Sequence, residues 1–207
     1  MKKIMFNDKY SLTQAVLDGR KTQTRRVIKY PREFKGEWVA GFNIHIRQSD
    51  KKVVGWPCMY DADEREFDEG EILPRYKVGE IVAVAQSYAD IGIEPFAFCE
   101  AAWRNKMFVK AELMPYQIKI TNVRIQRLQD ISDEDCLREG IELNTRQYEY
   151  DGTKKYCVCG LGHWRAIGCT DFDTPHEAFA ALIDKVSGKG TWESNPYVFV
   201  YEFELVD

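Results

Sequence analysis

Apolar residues recur along this chain in two rhythms, and the switches between them mark out its elements. Leu12, Ala15 and Val16 form a short helical stripe, with Ser11 and Gln14 at capping-box spacing and Gly19 placed to end it in a left-handed turn. The pattern predicts a helix over 12–18. A second helix is predicted over 133–139, capped by Ser132 and stopped by Gly140. Thr174, Pro175 and Glu177 supply the N-cap, first-turn proline and acid of a third. Along it Ala178, Phe179, Leu182, Ile183 and Val186 repeat at helical spacing up to Gly188. The other rhythm has period two. Tyr197, Phe199, Tyr201, Phe203 and Leu205 share one face and Glu202 and Glu204 the other, which predicts a half-buried strand. Ile118 and Ile120 are in one phase, Val123 and Ile125 in the opposite one. A bulge near Thr121-Asn122 reconciles them, as expected where a strand bends around a small barrel. Residues 81–85 are short, continuous and apolar, as in a central strand. The fold class predicted is α+β: a small curved sheet or barrel with helices at its mouth.

Two stretches fall outside that minimal pattern. In 30–75, Phe42, Ile44 and Ile46 alternate and Val53-Val54 answer them across a polar turn, so a hairpin is expected, followed by an acidic run over 61–71. Residues 143–173 are polar, with Tyr148, Tyr150 and Tyr156 nearly in alternation. Both read as insertions decorating one end of a single domain spanning 1–207. With 44% hydrophobic and 13% aromatic residues in 207, a substantial core is available and disorder is not the default. A formal net charge of −4 excludes a protein that coats nucleic acid indiscriminately, because such binding neutralises many phosphates. Any nucleic-acid contact is therefore expected to be local, within 20–35, where seven cations face only Glu33. Ile4-Met5-Phe6 is too short for a signal-peptide core, and about eighteen consecutive apolar residues occur nowhere. The expectation is a cytoplasmic chain without membrane contact, its cysteines reduced.

The candidate chemistry begins at Gly19-Arg20-Lys21-Thr22-Gln23-Thr24-Arg25-Arg26. Read as a loop leaving a glycine-stopped helix, it offers cations and short hydroxyls to an anion or a nucleobase. Its form, Gly-x-Lys-x-x-Thr-x-Arg, resembles the opening signature of ASCH domains, a branch of the PUA-like superfamily, and especially those carried by phages and mobile elements of bacteria. Three later segments resemble the family in order. They are Tyr76-Lys77-Val78-Gly79-Glu80-Ile81-Val82-Ala83-Val84, then Met114-Pro115 with 118–141 behind it, and Trp192-Glu193-Ser194-Asn195-Pro196-Tyr197-Val198-Phe199-Val200.

What the resemblance implies is a PUA-like fold binding RNA or a modified nucleoside. Some small bacterial ASCH proteins hydrolyse the acyl amide of N4-acetylcytidine with a Lys, a Thr and a Glu. Carried over by motif, these positions fall on Lys21, Thr24 and Glu139, and the motif's last position on Arg26. The residues make coherent chemistry. Arg20, Arg25 and Arg26 crowd Lys21 with like charge, which favours a neutral amine and a better base. A threonine hydroxyl needs such a base to become a nucleophile. Glu139 ends a short helix whose free carbonyls repel a carboxylate, which suits a proton donor. Lys21 and Thr24 share a face in a helical turn but point to opposite faces in an ideal strand. An RNA- or modified-nucleoside-binding domain is the first reading. Its alternatives are an amidohydrolase acting on N4-acylated cytidine, and a phage or mobile-element accessory protein whose insertions bind another protein. No cofactor is implied.

The chain also departs from the phage-type pattern. Ala85-Gln86-Ser87-Tyr88 replaces the family's Arg-Glu-Thr-Trp, and Tyr116 follows Met114-Pro115 where an arginine is usual; Tyr116 is a candidate base-stacking residue instead. Trp192, beside the glycines of Gly188-Lys189-Gly190, is a second stacking candidate, whereas Trp38, Trp56 and Trp103 read as packing. Cys157-x-Cys159 with His163 and Cys169 is a conceivable zinc cluster, but a one-residue gap strains two thiolates on one ion. A loop carrying reduced thiols is the simpler reading, and no metal is expected.

Overall fold

The computed structural model describes residues 1–94, 103–145, 149–150, 152–161 and 170–206. Its elements run β1 (Lys3–Ile4), α1 (Leu12–Leu17), β2 (Gln23–Val27), β3 (Glu33–Phe34), β4 (Glu37–Trp38), β5 (Gly41–Asn43), β6 (Cys58–Tyr60), β7 (Glu66–Glu71), β8 (Ile81–Val84), β9 (Gln117–Arg127), α2 (Asp133–Arg138), β10 (Glu142–Leu143), β11 (Tyr156–Cys157), α3 (Pro175–Ser187), α4 (Thr191–Ser194) and β12 (Tyr197–Val206). Capping explains two of the helices. Ser132 Oγ accepts from Asp135 N and Thr174 Oγ1 from Glu177 N, each at 3.2 Å. Ser11 does not cap α1 as the spacing suggests. A 3-10 turn over Asp8–Tyr10 runs into α1, Ser11 sits at φ +52°, and its hydroxyl donates to Cys159 Sγ at 3.2 Å.

The main sheet has the order β1-β8-β9-β12-β2, parallel between β1 and β8 and antiparallel elsewhere. The fold is α+β. The three strands anticipated from the apolar rhythm lie in this one sheet. Among the described residues it does not close into a barrel: β1, two residues long, and β2 stand at opposite ends unpaired with each other. The bulge falls where the phase change places it, since Glu202 faces Asn122 while Phe203 faces Ile120, leaving Thr121 extra.

Two expectations are corrected. Residues 23–27 are not loop but the edge strand β2, which escapes periodicity analysis because Gln23, Thr24 and Arg25 are polar yet buried. β12 is half-buried only in its second half, where exposed Glu204 follows buried Phe203. It sits between β9 and β2, and Val198, Phe199, Val200 and Tyr201 are all buried. Trp56 meets Phe199 edge-on at 6.0 Å and Phe42 meets Tyr197 at 6.4 Å, so the first insertion covers a face of the sheet rather than decorating an end. That insertion contains the expected hairpin, with Ile46 bridged to Val53, and a small antiparallel sheet β5-β6-β7 that absorbs the acidic run. In the second insertion β10 pairs with β11, and Tyr156 bridges to Phe172. Tyr148 lies outside the described residues. No helix among the described residues is long and apolar enough to cross a membrane.

Candidate functional site

The link from α1 to β2 is strapped at both ends. Gly19 turns the chain at φ +71°, Lys21 N donates to Ala15 O at 2.8 Å, and Thr22 N donates to Arg138 O at 3.0 Å. Gly140, at φ +101°, then brings the end of α2 against α1. A Cβ there would lie 3.3 Å from Leu12 Cδ2 and 3.7 Å from Lys21 Cδ, so glycine permits the close approach.

The approach places Lys21 over Glu139. Lys21 Nζ donates to Glu139 Oε2 and to the Glu139 carbonyl, both at 2.6 Å, and Arg25 Nη1 donates to Oε1 at 2.9 Å. The side chains of Lys21, Arg25 and Glu139 are 2%, 0% and 5% exposed, so this is a dry ionic clasp. Asp135, one turn earlier on α2, extends it. It accepts from Arg25 Nη2 at 2.8 Å, from Arg124 Nη2 at 2.6 Å and from Gln23 Nε2 at 3.2 Å. Glu202 on β12 pairs with Arg124 and Arg138 in turn. The layer ties β2, β9 and β12 to α2, and one buried donor in it, Arg25 Nε, has no partner among the described residues.

A cleft of about 50 Å³ opens beside the clasp, lined by Phe6, Lys21, Thr24, Arg26 and Glu139, with Phe179 of α3 across from them. Lys21, Thr24 and Glu139 therefore converge on one cleft. The question of shared faces is resolved because Lys21 precedes β2 while Thr24 lies within it. Among the described residues the Thr24 hydroxyl makes no hydrogen bond. Arg26 Nη2 donates to Met5 O at 2.6 Å, and its guanidinium and the Lys21 ammonium sit 6.0 and 5.8 Å from the Phe6 ring centroid. The volume holds a few waters. Met5 and Val186 also belong to its lining.

Burial holds the Lys21 ammonium below its ordinary 10.5, with Glu139 pulling the other way and Arg26 and Arg25 adding smaller repulsions. Desolvation, not the crowd of cations, is thus the main cause. Arg20 is turned outward to Asp18 and Glu142. Glu139 is not the exposed helix-end carboxyl that the sequence suggests. It is buried, and both its oxygens accept hydrogen bonds from cations.

Of the other predicted binding residues, Arg25 lines the cleft as a buried member of the clasp, and the two aromatic candidates stand apart from it. Tyr116 is exposed ahead of β9, outside the cleft lining, and Trp192 packs edge-on against Phe179 at 6.0 Å. Sequence reasoning missed Phe6, Asp135, Arg124 and Glu202. Of these only Asp135 carried a signal, as one of the acids clustered behind the Ser132 cap. For the conceivable zinc cluster, Cys157 is buried and Cys159 exposed, while His163 and Cys169 lie outside the described residues. Among the described residues no three His, Cys, Asp or Glu side chains are placed to hold a metal. Comparison with protein-family models, with curated proteins and with solved structures returned no match.

Proposed function

We propose that this chain is an ASCH-type protein of PUA-like architecture whose cleft recognises a modified nucleobase, presented as a nucleoside or within RNA. The observation that supports this reading is the Lys21–Glu139–Arg25 clasp opening on the Thr24 hydroxyl. Two of the three Lys21 ammonium hydrogens are engaged by Glu139. The third, the Thr24 hydroxyl and the Arg26 guanidinium are donors for one small space, and Phe6 gives it an aromatic wall. A cytosine ring offers matching acceptors at O2 and N3, and an acyl group on N4 adds a carbonyl. A buried ion pair is costly to desolvate, but once formed it fixes donor positions without further reorganisation. Titration of the labelled protein with cytidine and with N4-acetylcytidine tests the reading. The acetylated nucleoside is expected to shift the amides of Thr24, Arg26 and Glu139 and to bind about tenfold more tightly, with Thr24→Ala removing the preference. No shift at millimolar ligand would overturn it.

A second reading, hydrolysis of the N4-acyl amide, is favoured by the unpartnered Thr24 hydroxyl beside a lysine whose protonated form burial disfavours. Lys21 as free amine takes the Thr24 proton while Oγ1 attacks the acyl carbon. The carbon–N4 bond then breaks, N4 leaves carrying the proton returned by Lys21, and water cleaves the resulting ester to carboxylate and free threonine. Release of cytidine from N4-acetylcytidine is the assay. Lys21→Ala and Thr24→Ala should each lower the rate at least about a hundredfold. Absence of turnover by the unaltered protein leaves recognition without chemistry.

A further inference from the structure

A larger groove, about 530 Å³, runs along β9, with Tyr197 at the start of β12 lining it beside Arg127. The insertion hairpin bounds it with Lys51, Lys52, Val53 and Trp56, and every residue from 123 to 127 bounds it opposite. Consecutive residues of one strand line the same groove only along its edge, since alternate side chains point to opposite faces. The hydrogen-bond parity agrees. Ile28 N donates to Tyr197 O and Phe203 N donates to Thr22 O, so odd-numbered residues of β12 bond β2 and even-numbered ones bond β9. Val198 and Val200 face Gln126 and Arg124. The amides and carbonyls of Val123, Ile125 and Arg127 are thereby turned outward. Before the bulge that outward edge is occupied, because Gly79 N donates to Ile120 O and Ile120 N donates to Glu80 O. Beyond the bulge β8 no longer follows, and among the described residues no hydrogen bond reaches the outward groups of Val123, Ile125 and Arg127.

We propose that this open edge captures an extended, acidic segment of another protein as an added strand, a role independent of the cleft. Alternating outward amides and carbonyls call for a partner that both donates and accepts at strand spacing. A peptide backbone does so, whereas a phosphodiester only accepts. Charge selects the kind of peptide. Lys51, Lys52 and Arg127 line the groove, and among the described residues none of their charged side-chain groups is paired with a carboxylate; Asp130 is the acid of the lining. A second copy of this chain would set those same cations against each other, the usual way a natural edge strand avoids self-pairing. Val53 and Trp56 give the apolar side chains of an alternating segment something to rest on.

The test uses a fluorescein-labelled octapeptide of alternating valine and glutamate, followed by anisotropy and by amide shifts of the labelled protein. Binding is expected with the largest shifts at Val123, Ile125 and Arg127. N-methylation of every second peptide amide, which removes strand bonding and leaves the charge, should weaken binding at least about tenfold. Combined Lys51→Glu and Lys52→Glu in the exposed hairpin should weaken it about tenfold as well, with the far-ultraviolet spectrum unchanged. A valine–lysine octapeptide should not bind. Equal binding of the N-methylated peptide overturns the proposal, as does no binding at millimolar peptide. Oligouridylate moving the same three amides while the peptide does not overturns it in favour of nucleic acid.

Discussion

Replacing Glu139 by Gln strikes the clasp at its centre. The carboxylate faces Lys21 Nζ at 2.6 Å and Arg25 Nη1 at 2.9 Å, with both cations almost fully buried. Removing one partner of a buried ion pair costs about 3–5 kcal/mol, because the remaining charge is stranded rather than because the pair itself was strong. Here Lys21 is the stranded charge, since Arg25 keeps Asp135 at 2.8 Å. Lys21→Met costs less, about 2 kcal/mol, since Glu139 keeps Arg25 and the apolar chain fills the space of the lysine stem. The double variant then sets the two mechanisms apart. With Glu139 neutral, Lys21 is a buried cation without a counter-ion, and exchanging it for methionine relieves that cost. Glu139→Gln with Lys21→Met is therefore expected to be more stable than Glu139→Gln alone, with a coupling of about 2–3 kcal/mol. Urea unfolding followed by circular dichroism reads this directly, and a loss of that size moves the midpoint by about 1 M or more. Additivity within about 0.5 kcal/mol would mean that water reaches Lys21, and would refute the dry clasp.

The same residue carries a pH signature. Because burial lowers Lys21 below its ordinary 10.5, the unfolded chain holds more protons than the native one between the two values. Stability attributable to Lys21 should therefore rise as pH climbs towards 10.5, seen as a growing urea-midpoint advantage of the unaltered protein over Lys21→Met; a falling one contradicts the sign. Gly140→Ala, at φ +101° and with Leu12 Cδ2 at 3.3 Å from the new Cβ, should cost about 1–3 kcal/mol in the same assay. Gly19→Ala, whose surroundings are open, should cost less, and the reverse order would show that the α1–α2 approach is loose. Burial pushes the Cys136 thiol up to about 12. N-ethylmaleimide at neutral pH should then modify exposed Cys159 and spare Cys136 in the native protein, with Cys136 reacting only in urea; mass spectrometry of the peptides decides.

Local geometry was legible in the sequence and long-range charge pairing was not. The Ser132 and Thr174 caps and the Thr121 bulge each depend on a few neighbouring residues, so spacing alone located them. Ser11 shows the limit of that logic, because its hydroxyl was claimed by Cys159, far away in sequence. β2 was misread since a strand of Gln, Thr and Arg has no apolar alternation. What buries it is Asp135, Glu139 and Glu202, whose positions depend on how α2 and β12 dock. In the same way the acids of α2 look like a solvated helix start until Arg25 and Arg124 are brought against them. Glu139 was reached only through a family resemblance, and its setting differs from the helix-end proton donor expected there.

The clasp also changes what the basic octet can do. Read as a loop, Arg20, Lys21, Arg25 and Arg26 were four cations facing a ligand. In the fold Arg20 turns to Asp18 and Glu142, Arg25 is divided between Glu139 and Asp135, and Lys21 is held by Glu139. Among the described residues Arg26 alone of the four has no carboxylate partner, and it reaches only the Met5 carbonyl. Most of the positive charge is thus neutralised internally, which leaves directed donors rather than a strong field. A site of that kind discriminates by hydrogen-bond geometry and shape. It suits a neutral, acceptor-rich group such as an acylated base better than a polyanionic backbone, whose binding draws on several unpaired cations. That electrostatic economy, more than the motif itself, is what favours the proposed nucleobase over the strand that carries it.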